Sequence, residues 1–391
     1  MDKIAFVCQR YGLEVNGGAE AECRAYAERL AAFYEVEVIT SCALDHVTWK
    51  NHYPAGVSSI NGVAVRRFPV RGERSANFVK LSNRLEENPR HSFAEEEEWI
   101  RAQGPYVPEI IDWLREHAAE YKAVFFMTYL YYQTAVGIPS FPGRSILIPT
   151  AHDEWPIYLR IYREMFEAAD AYVYNSEAER RFVESLFLET CGKPYVTVGA
   201  GVEMPAAPLP DIRERFGLTG DYILYAGRIE PAKGCGELFG YFAEYKRRYG
   251  GDLKLVLLGK AAMPIPERED IIKLGFVSEE EKFAVMAGAR VLVQGSWLES
   301  LSIVVLESLL MGRPVLVNGA CQVLLDHVTE SGAGLYFRDH TEFIGALRWF
   351  LSHEEEYAQM CENGRRYVAE RYNWEKITEK LRQLVETVGN A

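Results

Sequence analysis

The chain has 391 residues, 48% of them hydrophobic and 25% charged, which is ordinary for a globular protein; at this length it suits two domains better than one core. Its 43 Lys and Arg against 56 Asp and Glu give a formal charge of -13, which argues against nonspecific nucleic-acid binding because no global excess of cation is present to release counterions; any anion site must be local. The seven cysteines show no CxxC pair, no regular spacing and an odd count, which points to a reduced, cytoplasmic setting and to no zinc site.

Residues 3–8 read as a buried strand, and the apolar run within them is too short for a signal-peptide core. Gly17-Gly18 then opens a helix running to about Ala32. Strand, glycine loop and helix form a start that faces phosphate. Residues 12–18 do not spell GxGxxG, so a nicotinamide cofactor receives little weight, and two glycines serve a tight turn equally well. Residues 35–40 and 63–69 continue the strands. The pattern breaks across residues 41–106, which hold Trp49, His52, Tyr53, Arg66, Arg67, Arg71, Arg74 and the acidic run 95–98. Long irregular connections often carry function, so this stretch is the candidate for acceptor recognition, and its four arginines suit an acidic glycan or an anionic membrane surface. The competing reading is that these charges are solvated faces, as charge runs usually are.

The most apolar segment, 123–136, falls short of the ~20 residues that span a bilayer; no transmembrane helix is expected, and peripheral membrane contact stays open. Strands are expected at 122–127, 144–148 and 171–175. His152-Asp153 follows the middle one, at the carboxyl end of a parallel strand where open α/β sheets place ligands. Glycine and proline density from 199 to 210 marks a linker, so the expected domains are 1–198 and 199–373. The second half repeats the alternation, with strands near 222–226, 253–258, 271–274, 290–294 and 314–318. A last helix from Trp374 carries Ile377, Leu381 and Leu384 as an apolar stripe.

Two stretches of the second half carry the chemistry. In the first, Arg228 and Lys233 follow a strand and precede a helix near Gly234; an Arg fork and a Lys point charge are the usual donors to a diphosphate. In the second, Glu299 lies between a strand and a helix, and Glu307 lies one to two turns into that helix, placed to accept hydrogen bonds from a diol. The free amides of Ser300, Leu301 and Ser302 are expected to point out of the helix start, where an anion or a sugar hydroxyl is easily held. Together they describe a pocket for a nucleoside diphosphate carrying something rich in hydroxyls.

Gly227-Arg228 with Lys233-Gly234, Glu299 and Glu307 with seven residues between, Gly312-Arg313-Pro314-Val315, Gly17-Gly18-Ala19-Glu20, His152-Asp153 and Tyr372-Asn373-Trp374 together resemble the retaining GT-B glycosyltransferases of glycosyltransferase family 4, over nearly the whole chain. One departure stands out. The family often has Gly-Phe-Gly after the first glutamate, where this chain has Ser300-Leu301-Ser302. The resemblance implies an α/β architecture of two Rossmann-like domains with parallel sheets facing across a cleft. The N-terminal domain would serve the acceptor and the C-terminal domain the nucleotide-sugar donor, with helix 374–391 packing back on the N-terminal domain. It further implies that Arg228 and Lys233 stabilise the leaving diphosphate, Glu307 binds ribose, Glu299 and His152 hold the sugar, and backbone at Val277 holds the base.

No Asp-x-Asp occurs in the chain, so no metal and no cofactor are expected, and the diphosphate charge falls to protein donors. The expected reaction is retaining transfer from a UDP- or GDP-linked sugar to a hydroxyl acceptor of unknown identity. A nucleotide-sugar epimerase on the same fold, or a noncatalytic partner subunit, are the alternatives.

Overall fold

The computed structural model describes residues 1–15, 17–141 and 143–390. It divides into two compact units, Met1–Ala200 together with Glu375–Ala391, and Gly201–Trp374.

The first unit holds eight strands: β1 (Lys3–Cys8), β2 (Glu35–Ser41), β3 (Gly56–Ile60), β4 (Val63–Phe68), β5 (Ala123–Met127), β6 (Ser145–Ile148), β7 (Ala171–Tyr174) and β8 (Tyr195–Thr197). Their order is β3-β4-β2-β1-β5-β6-β7-β8, parallel throughout except for the β3/β4 hairpin. Continuous apolar runs such as Ala-Val-Phe-Phe-Met in β5 are buried along their whole length, as a sheet covered on both faces requires. The chain passes from β1 to β2 on one side and reaches β5 on the other. The switch point between β1 and β5 therefore opens at their carboxyl ends.

The stretch 41–106 is more regular than its composition suggests. β3 and β4 meet through Asn61-Gly62, both with positive φ (48° and 84°), the conformation of a tight two-residue hairpin turn. Helices Phe78–Glu87 and Phe93–Gln103 follow, the second started by a reciprocal cap between Ser92 and Glu95. Leu81, Leu85, Trp99 and Ile100 carry them into the core of the unit. The acidic run is not simply a solvated face. Glu96 is fully buried, accepting from His91 Nε2 (2.9 Å), Arg160 Nε (3.2 Å) and the Ile161 amide (2.9 Å).

The four arginines expected to meet an acidic glycan or a membrane are engaged within the unit. Arg66 pairs with Glu37 at 2.7 Å and lies over Trp113, and the buried Arg67 donates to the Tyr11 carbonyl at 2.8 Å. Arg71 pairs with Glu109 at 2.7 Å, and Arg74 donates to the carbonyls of Gln103 and His46. They tie strands and loops together and do not form a free cationic patch. Helix Trp374–Gly389 buries Ile377, Leu381, Leu384, Val385 and Val388, and its Glu386 takes hydrogen bonds from Tyr34 (3.0 Å) and Lys122 (2.6 Å) of the same unit.

The second unit holds β9 (Tyr222–Ala226), β10 (Lys254–Leu258), β11 (Ile271–Gly275), β12 (Val291–Gln294), β13 (Val315–Asn318) and β14 (Gly334–Phe337). They form one parallel sheet in the order β11-β10-β9-β12-β13-β14. The short β14, with its half-exposed Leu-Tyr centre, escaped the sequence reading. Here the switch point lies between β9 and β12. Among the described residues no helix is long and apolar enough to cross a membrane.

Candidate functional site

The β9/β12 switch point gathers the residues that the sequence singles out. After β9 the chain makes a short turn, Pro231–Lys233, that ends at Gly234 with φ of +68°. A Cβ at Gly234 would lie 2.2 Å from the carbonyl oxygen of Gly295, so only glycine lets this turn press against the loop after β12. That approach brings Lys233 Nζ to 2.8 Å from Glu299 Oε1, in a pair that is largely shielded from solvent. Arg228 stands apart. Its side chain is exposed and its guanidinium lies 3.3 Å from Glu230, while its carbonyl accepts from Tyr225 Oη at 2.6 Å.

The helix carrying Glu307 runs Ile303–Leu310. Its orphan amides are those of the helix start itself, although the Val305 amide already donates to the Ser302 carbonyl at 3.0 Å, and Ser300 and Leu301 belong to the loop that leads in. Ser302 caps the helix with φ 64° and ψ 69°, a left-handed conformation that costs a residue with a Cβ about 1–2 kcal/mol and glycine almost nothing. The serine thus stands at a strained position. Its side chain gives no cap and instead accepts from Gln294 Nε2 at 3.4 Å.

Two partners of this loop and helix were not visible in the sequence. Glu307 is buried and meets Lys282 Nζ at 2.7 Å, from helix Glu279–Gly288. Burial pushes the Glu307 carboxyl above its ordinary range, with Lys282 pulling the other way. Burial also works against the Lys282 ammonium, but Glu307 and Glu279 outweigh it and hold its pKa up. Within a Glu-Glu-Glu-Lys run, Lys282 gives no sign of its burial. The second partner is His327, fully enclosed, with Nε2 2.6 Å from the Leu301 carbonyl and Nδ1 3.0 Å from Tyr367 Oη. A carbonyl only accepts, so Nε2 carries the hydrogen and Nδ1 receives the tyrosine hydroxyl. Burial keeps the imidazole neutral, with its pKa below the ordinary histidine value.

Val277 lies just past β11 and next to Ser278, whose side chain caps the helix that carries Lys282. Beside it Phe276 is 79% exposed.

In the first unit, Gly17 caps helix Gly18–Leu30. The first turn already holds an anion of the protein's own, the buried Glu20 carboxylate, bonded to Arg10 Nε at 2.9 Å. His152 follows β6 after Thr150, which has φ of 50°, and Thr128 past the end of β5 has φ of 65°. Two β-branched residues in the left-handed region at neighbouring strand ends mark strain of the kind stored at functional sites. His152 Nδ1 is buried without a hydrogen-bond partner among the described residues, and Nε2 is 3.8 Å from Glu154. The His152 carbonyl accepts from the Glu154 amide at 2.9 Å. The loop is held from below by Glu179, which accepts from the amides of Ala151 and Asn175, both at 2.6 Å. Burial raises the Glu179 carboxyl to about 8, with the nearby Glu22 carboxylate adding to the effect. Glu22, likewise buried, rises to about 7. In the sequence these two glutamates are indistinguishable from helix-surface residues.

The fold is that of the GT-B glycosyltransferases: the sucrose-phosphate synthase of Thermosynechococcus elongatus superposes with a TM-score of 0.72 over 99% of both chains at 17% identity. The HepE protein of Anabaena, solved in complex with UDP-glucose, superposes with a TM-score of 0.68 over 100% of both chains at 16% identity. Residues 211–367, within the second unit, match the family model of glycosyl transferases group 1. The alpha-D-kanosaminyltransferase of Streptomyces kanamyceticus is 30% identical over 46% of this chain and 49% of its own length. The chain thus spans about half the length of the curated relatives it matches at 30% identity or more.

Proposed function

We propose that the protein is a retaining, metal-independent glycosyltransferase that moves a sugar from a nucleoside diphosphate sugar, UDP- or GDP-linked, to a hydroxyl acceptor. The observation that carries this reading is the paired constellation at the β9/β12 switch point. There Lys233 meets Glu299 and a buried Glu307 is held by Lys282, inside the stretch that matches the family model. The diphosphate takes Lys233 and Arg228 as donors, with the first-turn amides after Ser302 beside them. Glu307, shielded from water, accepts from the ribose hydroxyls, and Glu299 accepts from the sugar. The base rests on backbone near Val277. His152, whose side chain is partly exposed, contacts the transferred sugar. With both site carboxylates bound to lysines, neither is free as a general base. A phosphate oxygen of the leaving group takes the acceptor proton as the new bond forms on the face from which the diphosphate departs.

A thermal-shift panel of UDP-, GDP-, ADP-, TDP- and CMP-sugars in EDTA tests the donor. Ligand at ~100 times its dissociation constant adds about 2.7 kcal/mol, enough for a shift of several degrees. One nucleotide class should respond, and Glu307→Ala should lose the response. With that donor and an acceptor in hand, Arg228→Ala and Lys233→Ala should each slow turnover well beyond a few-fold, and the product anomer should match the donor. No response to any nucleotide sugar would remove the proposal.

A further inference from the structure

The loop between β12 and the helix that carries Glu307 turns on one peptide, Leu301–Ser302. Ser302 holds φ 64° and ψ 69°, a left-handed conformation that a residue with a Cβ does not keep by preference. Turning this peptide over would carry φ of Ser302 to the negative side, where serine is at ease, and would move the flanking chain little. The strained form therefore persists only because its surroundings hold it.

One of those surroundings acts on the peptide itself. The Val305 amide donates to the Ser302 carbonyl at 3.0 Å, but that oxygen belongs to the next peptide and stays in place when Leu301–Ser302 turns. Gln294 Nε2 reaches only the Ser302 side chain, at a long 3.4 Å. His327 Nε2, in contrast, donates to the Leu301 carbonyl at 2.6 Å. A turned peptide would bring an N–H against that N–H, donor against donor. In a trans peptide the carbonyl and the following amide point opposite ways, so holding the Leu301 oxygen on His327 also aims the Ser302 amide away from the enclosed ring.

The imidazole cannot turn aside. It is 2% exposed, with Tyr367 and Tyr372 packed on it at 6.0 and 5.9 Å between ring centroids. Tyr367 Oη occupies Nδ1 at 3.0 Å and is itself 3.4 Å from Tyr372 Oη. Burial keeps the ring neutral, and its single hydrogen is therefore committed to Leu301. We infer that His327 is a positioning residue for the sugar nucleotide: through the Leu301 carbonyl it locks the Leu301–Ser302 peptide in its strained orientation and so sets the approach to the helix start. Released, the peptide would exchange an amide for a carbonyl oxygen immediately before that start, where N–H groups attract an anion and an oxygen repels it. The bearing on the donor rests on the proposed transferase activity; the hold on the peptide does not.

The test joins a crystal structure of His327→Phe to calorimetric titration of the nucleotide sugar that binds wild type. Phenylalanine keeps a ring between the tyrosines and removes both nitrogens. In the crystal the peptide should be turned over, with φ of Ser302 negative. Affinity should fall about tenfold, the factor that the strain of one left-handed residue represents. His327→Gln, which keeps an N–H donor and a side chain of similar reach, should stay within about threefold of wild type. Adding Ser302→Gly to His327→Phe should recover most of the loss, because glycine takes a positive φ without being held; a histidine that merely filled space would cost the same factor in either background. Circular dichroism establishes that each variant is folded, and His327→Leu carries the same expectations if the phenylalanine variant is not. An unturned peptide in the folded variant, or an affinity loss as large with Ser302→Gly as without it, would overturn the inference. A turned peptide in a chain that binds no nucleotide sugar would uphold the hold of His327 on the loop and fail the transferase reading alone.

Discussion

Replacing Lys282 with methionine probes whether the Glu307 carboxylate is held by charge or merely packed. The substitution keeps the aliphatic stem and removes the ammonium that lies 2.7 Å from Glu307 and 2.8 Å from Glu279. Removing one partner of a fully buried pair costs ~3–5 kcal/mol. Lys282 retains about a quarter of its side-chain exposure, so solvent screens part of this and about 2 kcal/mol is expected. The unit that carries it, Gly201–Trp374, is of a size for which each kcal/mol moves the midpoint by about 2–4 °C, giving a drop of roughly 4–8 °C. The pH dependence is the sharper test. Glu307 titrates above its ordinary value in the folded chain, and losing Lys282 raises it further. A raised acid contributes its stability fully below the unfolded value and loses it as pH rises through the folded value. The deficit of Lys282→Met should therefore be small near the ordinary carboxylate range and grow toward alkaline pH. Adding Glu307→Gln should recover most of it. Thermal unfolding at several pH values measures both, and a deficit independent of pH, or unrelieved in the double variant, would refute the pairing argument.

Gly234→Ala should separate the turn after β9 from Gly295, because its Cβ would sit 2.2 Å from that carbonyl at a positive φ. A loss above ~2 kcal/mol in denaturant titration and weakened nucleotide-sugar binding are expected together. His327→Phe should leave Leu301 O unpaired at a cost of about 1–3 kcal/mol. Because the folded imidazole titrates below the ordinary histidine value, wild type should lose stability as pH falls through that value, and the variant should lack this component. Glu179→Gln acts with the opposite sign in the first unit. The carboxyl titrates at about 8 when folded, so wild type should lose stability as pH rises from the ordinary carboxylate range to about 8, and the variant should show a flatter profile. Stability against pH by thermal unfolding checks both.

The parallel strands were legible because buried on both faces they read as unbroken apolar runs, and the switch-point residues because glycines and charges follow directly after such runs. β3 was passed over although Asn61-Gly62 is the strongest short hairpin signal a sequence offers; its polar Ser-Ser centre hid it. The start of the helix after β12 was legible, but nothing in Ser300-Leu301-Ser302 announces that Ser302 takes a glycine's conformation. Lys282, His327, Glu22 and Glu179 were invisible for a common reason. Each lies on a helix whose local pattern does not say which charged or polar residue turns inward, and only contacts distant in sequence, from 25 to 26 residues for the first two, decide it.

The charges of the proposed donor site are balanced before any ligand arrives: Lys233 by Glu299, Lys282 by Glu307 and Arg228 by Glu230. A diphosphate must therefore share or take Lys233 from Glu299. If it comes alone, Glu299, a carboxylate with little exposure, is left with a weakened partner. If it comes with a sugar attached, the sugar hydroxyls replace what the lysine withdraws. The pairing thus favours the nucleotide sugar over the bare nucleoside diphosphate. Hydrogen bonds to a charged group contribute about 1.5–3 kcal/mol, so tenfold or more in affinity is expected for the nucleotide class that binds. Glu299→Gln, which leaves Lys233 to the phosphates, should tighten the nucleoside diphosphate and narrow the difference. Calorimetric titration of both ligands on both proteins measures it, and a difference unchanged by Glu299→Gln would mean that the carboxylate does not hold the sugar.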